Sequence, residues 1–379
     1  MLPIVSRATM SSAPYTRAVV SAMRKLYPEA LADKSFDNTG LLLEAPFDPR
    51  RRQRNSVLLT IDLTKAVANE AIARQDSIVV AYHPIIFRGL KSLTLQDSQQ
   101  QSLLRLAAAG ISVYSPHTAV DCARGGLGDW LADIVTGTPT HLPSDPKQQQ
   151  QQPHPSDHTS QQPQTIPKRP LYMLQHHPSQ QTLQQKALSL GTKPHDRRPI
   201  VPTSMPNYSP EETGMGRIVR LHDAVPLTAI IDNIALGLGN PKGFPIAVPQ
   251  GKQISDMMIR TIGICAGSGG HLFGELREPV DLLFTGEMSH HEALAAIEKG
   301  QCVIALFHSN TERGFLSGVL KGQLEGEIAE EWKRLRDEQR STNGVEHDKD
   351  YLAALEDESI EVHVSEVDRD PYGIMIAKS

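Results

Sequence analysis

Short runs of branched apolar residues alternate with helix-spaced stretches, and the alternation occurs twice along this chain. The first series is VLLTI (57–61), SIVVAY (77–82) and ISVYS (111–115), with TKAVANEAIAR (64–74) and QSLLRLAAAG (101–110) between them. The second is TIGICA (261–266), DLLFTG (281–286) and CVIALF (302–307), with HHEALAAIEKG (290–300) before the last run. Gly110 and Gly300 end helical stretches, as helix C-caps do. Strands separated by helices predict βαβ units and parallel sheets. The third strand of each series ends in a histidine with a carboxylate four residues on: His117 and Asp121, then His308 and Glu312. The expected fold is therefore α/β, two similar halves arising from a degenerate internal duplication.

Composition divides the chain further. Between residues 137 and 213 lie the Gln148–Gln152 run, many prolines and few large apolar side chains. Such a segment buries too little surface to offset its ordering entropy, so a disordered insert is expected there. The expected division is 1–136 as first half, 137–213 as insert and 214–379 as second half. His154, His158, His176 and His177 inside the insert read as solvated histidines.

The net charge of −5 gives no basic excess and argues against binding driven by phosphate neutralisation of nucleic acid. Three scattered cysteines make no complete disulfide framework, which points to a reducing, intracellular compartment. No apolar run is long enough to span a bilayer, so no membrane association is expected. The N-terminal 28 residues carry Arg7, Arg17, Arg24 and Lys25 with no acid, a composition that suits a mitochondrial presequence. The favoured reading of the same stretch is a capped amphipathic helix from Ser11 leading into a cytoplasmic fold.

Ligands of open parallel sheets bind beyond the carboxyl ends of the strands. Polar groups gather at those ends here: Asp62, His83, His117 with Asp121, Glu287 with His290 and His291, and His308 with Glu312. Taken singly, each has an ordinary reading. His83 precedes a proline at a strand end, and Ser309-x-x-Glu312 fits a capping box. Taken together, with the rims facing each other, they would offer a mixed imidazole and carboxylate set suited to Zn, Mn, Fe or Ni. The loop CAGSGG (265–270) suits either a phosphate cradle or a plain tight turn.

At this point the residues resemble a known family. FDNTGLLLE (36–44), AYHPIIF (81–87), SPHTAVD (115–121), GMGRIVRL (214–221), CAGSGG, LLFTGEMSHHEAL (282–294), FHSNTERG (307–314) and SEVDRDP (365–371) occur in the order seen in the Nif-three-like group, the NGG1-interacting factor three relatives. These are also named GTP cyclohydrolase I type 2 homologues. The resemblance implies a duplicated α/β fold with a dinuclear metal cleft, and homo-oligomers. It makes His83, Asp121, His308 and Glu312 metal ligands for one or two divalent transition metal ions. Many bacterial members have two histidines where this chain has Tyr82 and His83, so one metal position is short of a ligand. The expected function is metal-dependent hydrolysis of a nucleotide or related phosphorylated small molecule, with His117, His290 or His291 as proton-transfer groups. The alternative is a regulatory adaptor acting through a protein partner such as a transcription factor.

Overall fold

The computed structural model describes residues 12–48, 52–138, 171–175, 191–341 apart from 207 and 210, and 349–378. Helix α1 (Pro14–Leu26) is followed by β1 (Gly40–Leu43), β2 (Ser56–Thr60), α2 (Lys65–Arg74), β3 (Ile78–Ala81), α3 (Ser98–Ala109) and β4 (Ser112–Ser115). Then come α4 (Thr118–Cys122), α5 (Leu127–Thr136), β5 (His195–Arg198), β6 (Arg217–Pro226), α6 (Leu227–Gly237) and β7 (Ile246–Ala247). The C-terminal part holds β8 (Met258–Ser268), β9 (Leu282–Glu287), α7 (His290–Glu298), β10 (Cys302–Ala305), α8 (Lys321–Ser341) and β11 (Glu361–Val364).

Two mixed sheets result. The first has the order β1-β4-β3-β2-β11, parallel except for the antiparallel edge strand β1. The second has the order β7-β10-β9-β8-β6-β5. Its central β10, β9 and β8 are parallel, and its remaining strands are antiparallel to their neighbours. All six apolar runs of the sequence fall on parallel strands. They can be apolar along their whole length because helices cover such sheets on both faces. Gly110 has the left-handed φ of 78° that a C-cap requires, where a side chain would be strained.

One continuous core joins the two sheets. Val57, Leu59 and Val80 of the first share it with Ile262, Ile264 and Phe284 of the second, and Leu131, Ile134 and Val135 of α5 contribute to it. Each large apolar side chain buried here stabilises the fold by roughly 1.5–3 kcal/mol. Buried Arg217 reinforces the junction. Its Nε donates to Asp129 Oδ1 at 2.6 Å and its Nη1 to the carbonyls of Gly214 and Gly216, each at 2.7 Å.

The expected division of the chain needs correction at two places. Strand β5 lies inside the stretch read as insert, and residues 201–202 pair with 214–215. Its sequence HDRR is polar because it is a sheet edge, where charged side chains discourage pairing with another chain. Strand β11 belongs to the first sheet although it lies in the C-terminal part, and Trp332 of α8 packs edge-to-face on Tyr15 of α1 at 5.6 Å. The Gln148–Gln152 run and His154, His158, His176 and His177 lie outside the described residues.

Helix α1 starts at Pro14, not Ser11, with Ala13 as its N-cap and no side-chain cap. Proline suits that first position because the missing N–H has no helical partner there anyway. Tyr15, Ala18, Val19, Ala22 and Met23 are buried, so residues 14–26 are part of the core, while residues 1–11 are outside the described set.

Candidate metal centre

The carboxyl ends of the parallel strands in the two sheets meet. His83 follows β3 of the first sheet and His308 follows β10 of the second, with ring centroids 5.3 Å apart. Between them stands Glu312, only 2% exposed. Its Oε2 is 3.4 Å from His83 Nε2 and its Oε1 is 3.7 Å from His308 Nε2. One ligand atom from each of the three lies within 4.8 Å of the others, which makes them a possible metal-binding group.

Each imidazole is oriented from behind by a carboxylate. His83 Nδ1 is 2.8 Å from Asp62 Oδ1, and His308 Nδ1 is 2.8 Å from Glu287 Oε1. A third pair, His117 Nδ1 and Asp37 Oδ1 at 2.7 Å, stands alongside, with the His117 ring 5.5 Å from that of His83. A carboxylate on Nδ1 keeps the proton there and leaves the Nε2 lone pair for a cation. Glu312 Oε2 has no hydrogen-bond partner in the protein, although it is buried. A buried carboxylate oxygen without a hydrogen-bond donor is costly unless a cation satisfies it; here the protonated His83 imidazole 3.4 Å away does so, or a metal ion in place of that proton. The donor set therefore fits a divalent transition metal.

Burial opposes a charge on His83, but the carboxylates of Glu312 and Asp62 outweigh it and push its pKa up to about 10. The anionic surroundings that retain a proton there would equally favour a metal cation.

The backbone is strained at this rim. Among the described residues, His117 (φ 33°) and Phe307 (φ 65°) are non-glycine residues with positive φ, and both sit where a strand turns into the site. Gly267, in the CAGSGG loop, packs directly against the group. With φ 59°, it has no room for a Cβ, which would stand 2.9 Å from His308 Nε2 and 3.0 Å from Glu312 Oε1. The glycine thus has a use at the imidazole and carboxylate pair, whichever reading of the loop is preferred.

The other expected site residues divide. Asp121 is not one of the three grouped residues. The buried phenol of Tyr82 donates to its Oδ1 at 2.7 Å. Burial and the nearby Glu312 charge raise the Asp121 pKa to about 6, against the opposing pull of His117, the Tyr82 hydrogen bond and His83. Burial, with the negative charges of Asp121 and Glu312, also holds the Tyr82 phenol protonated, well above 10. His117 is brought to the edge of the group. His290 and His291 are exposed on the first turn of α7, where their rings meet edge to face at 5.3 Å and neither joins the group.

The capping box that Ser309 and Glu312 would suit if read alone does not form. Ser309 Oγ donates instead to Asp370 Oδ2 at 2.7 Å, and Glu312 turns its carboxylate to the histidines. A capping box does form one helix earlier, at Ser289 and Glu292. Asp37, Arg313 and Asp368 are residues that strand ends alone could not reveal. Their only sequence signal was membership of the ordered motifs FDNTG, TERG and SEVDRDP.

Fold and site together define an α/β protein of two mixed sheets with a possible metal-binding group at their meeting edge. The profile of the Duf34/NIF3 (NGG1p interacting factor 3) family matches residues 14–336, and the chain belongs to that family. It is 39% identical over 312 residues to the Protein NIF3 homolog of Schizosaccharomyces pombe, covering 82% of this chain and 89% of that one. NGG1-interacting factor 3 of Saccharomyces cerevisiae is 34% identical, with 82% and 90% covered. Among solved structures, a Bacillus cereus protein related to NIF3 matches with a TM-score of 0.58 at 17% identity, covering 94% of this chain and 98% of that one. Reduced HcgD from Methanocaldococcus jannaschii matches with a TM-score of 0.54 at 16% identity, covering 82% and 93%. These structural likenesses show a shared fold. Among the described residues no helix is long and apolar enough to cross a membrane.

Proposed function

We propose that this chain is a divalent-metal-dependent hydrolase acting on a nucleotide or related phosphorylated small molecule. The carrying observation is the pair of carboxylate-backed imidazoles aimed at a buried carboxylate with an oxygen that accepts no hydrogen bond. His83, His308 and Glu312 would hold the ion, with Asp121 as a further anionic group behind Tyr82. One or two ions of Zn, Mn, Fe or Ni suit this donor set. A bound ion would supply Lewis acidity, polarising a phosphoryl or carbonyl oxygen and making water a usable nucleophile near neutral pH.

The chain's own residues support the rest of the reading. With Nδ1 tied to Asp37, His117 is left with Nε2 for proton exchange with substrate or water. Phe36 and Phe87 are 50% and 44% exposed, with their rings 6.5 and 6.3 Å from that of His117. Exposed phenyl rings beside a polar site suit the face of a flat base. A cavity of about 650 Å³ is lined by Asp62 and His83, and also by Lys65 and Arg369 and the first residues of α2 and α3. Lys65 and Arg369 favour a phosphorylated group there, against the carboxylates of Asp62 and Asp370 on the same wall. The similar order of the two sheets, three parallel strands with an antiparallel neighbour beside β4 and beside β10, supports the duplicated halves of the same reading.

The test is a panel of phosphorylated nucleotides and sugars assayed with each metal on wild type and Glu312→Gln. Metal-dependent turnover lost in the variant supports the proposal, and no turnover with any metal sinks it. The second reading, an adaptor, is favoured by the name of the yeast relative, NGG1-interacting factor 3. Replacing residues 141–168 by a short Gly-Ser linker separates the two readings. An enzyme keeps turnover, while an adaptor using that segment loses its partner.

A further inference from the structure

We propose that Arg313 is a positioning residue of the metal centre and that residues 365–372 act through it as a third support, beside the two sheets. This rests on the metal-binding reading above.

Arg313 is buried next to Glu312 in the chain, and its guanidinium touches three different segments. Nη2 donates to Asp62 Oδ2 at 2.8 Å, and the other oxygen of that carboxylate holds His83 Nδ1 at 2.8 Å. Nε donates to Ser309 Oγ at 3.0 Å. Nη1 forms an ion pair with Asp368 Oδ2 at 2.7 Å, without hydrogen-bond geometry. The same Asp368 oxygen accepts the backbone N–H groups of Ile61, at 2.7 Å, and Asp62, at 3.3 Å. The carboxylate that aims His83 is thus fixed twice: its side chain by Arg313, and its backbone by a residue 306 positions along the chain.

The same C-terminal segment also grips the His308 side. Asp370 Oδ2 accepts from Ser309 Oγ, Asp370 Oδ1 accepts the Tyr372 N–H at 2.8 Å, and the Tyr372 ring lies 6.2 Å from Phe307. Phe307 is the strained residue immediately before His308. A planar guanidinium can hold three partners in fixed directions at once, which an ammonium group cannot. Partners behind a ligand commonly change metal affinity by about 10- to 100-fold when removed.

The experiment is a double-mutant cycle on the full chain, using Arg313→Lys, Asp62→Asn and the combination. Zinc affinity is read by chelator competition, the cobalt(II) absorption spectrum reports ligand geometry, and circular dichroism with chelator present reports the fold. Asp368→Asn paired with Asp62→Asn is a second cycle that keeps side-chain size, should Arg313→Lys fail to fold. The expected result is a loss of about 10- to 100-fold for each single variant with an altered cobalt spectrum. The double variants should lose less than the product of the single losses, because Arg313 and Asp368 both act on His83 through Asp62, its carboxylate and its backbone. Wild type that binds zinc, with folded single variants binding equally well or with losses that multiply, overturns the proposal and leaves the metal reading intact. Wild type that binds no zinc after reconstitution overturns both.

Discussion

Replacing Asp121 by asparagine tests whether the site is built for a cation that its own residues do not supply. In the folded chain burial raises the Asp121 pKa to about 6, with the Glu312 charge adding to the shift, while its unperturbed value is 3.8. The folded state therefore holds the proton more tightly than the unfolded chain. Its stabilising contribution is complete below about pH 4 and is lost as pH rises through about 6. At pH 7.5 the ionised carboxylate lacks that contribution, a difference of about 3 kcal/mol, less to the extent that water reaches its oxygens. The substituted amide cannot ionise, and its oxygen can still accept from the Tyr82 hydroxyl. The metal-free variant should be more stable than wild type at pH 7.5, by up to about 3 kcal/mol and several degrees in melting temperature. The gain should shrink toward pH 4.5, and shrink or reverse when zinc is added, because a cation offsets the carboxylate. Urea and thermal unfolding of chelator-treated protein at both pH values measure it. Equal or lower stability of the variant at pH 7.5, or a gain independent of pH, would refute the reasoning.

Other outcomes follow from the same geometry. Without metal, His83 keeps its proton up to about pH 10, so each ion bound at neutral pH displaces one. Apparent zinc affinity should tighten by about tenfold per pH unit between pH 6 and 8, and a flat profile would remove His83 from the ligand set. Tyr82→His places an imidazole where the phenol now faces Asp121. It should raise the bound metal toward two ions per chain by elemental analysis, and an unchanged stoichiometry would show that the phenol does not limit loading. Replacing residues 141–168 by a linker should change stability by no more than about 1 kcal/mol. Deleting the edge strand 195–198 should lower the melting temperature clearly, and equal effects of the two changes would contradict the placement of β5.

The central strands and the ends that bear the candidate ligands were legible in the sequence because buried parallel strands are continuous apolar runs. A polar residue just beyond such a run stands out, as His83 and His308 do. Strand β5 was not legible, since HDRR is charged and alternates half-buried with exposed positions at a sheet edge. Neither was the pairing of β11 with β2, which joins residues about 300 positions apart and leaves no local signal. Ser309 and Glu312 matched a capping pattern by spacing alone, yet the serine bonds to Asp370 and Arg313, whose approach is tertiary. Asp62 and Glu287 were visible at strand ends, though not as the partners of His83 and His308, whereas Asp37 was hidden because it reaches His117 from 80 residues away. Asp121 followed its expected strand end, but the phenol of Tyr82 took one of its oxygens.

The most direct measurement is metal content per chain by elemental mass spectrometry, on protein purified without a histidine tag or added metal, for wild type beside Glu312→Gln. Removing the buried charge shared by both imidazoles should weaken binding by about 3–5 kcal/mol, or roughly two to three and a half decades in affinity. One or two transition-metal ions per wild-type chain, and almost none in the variant, is the predicted result. No bound metal in either protein, even after reconstitution, would contradict it.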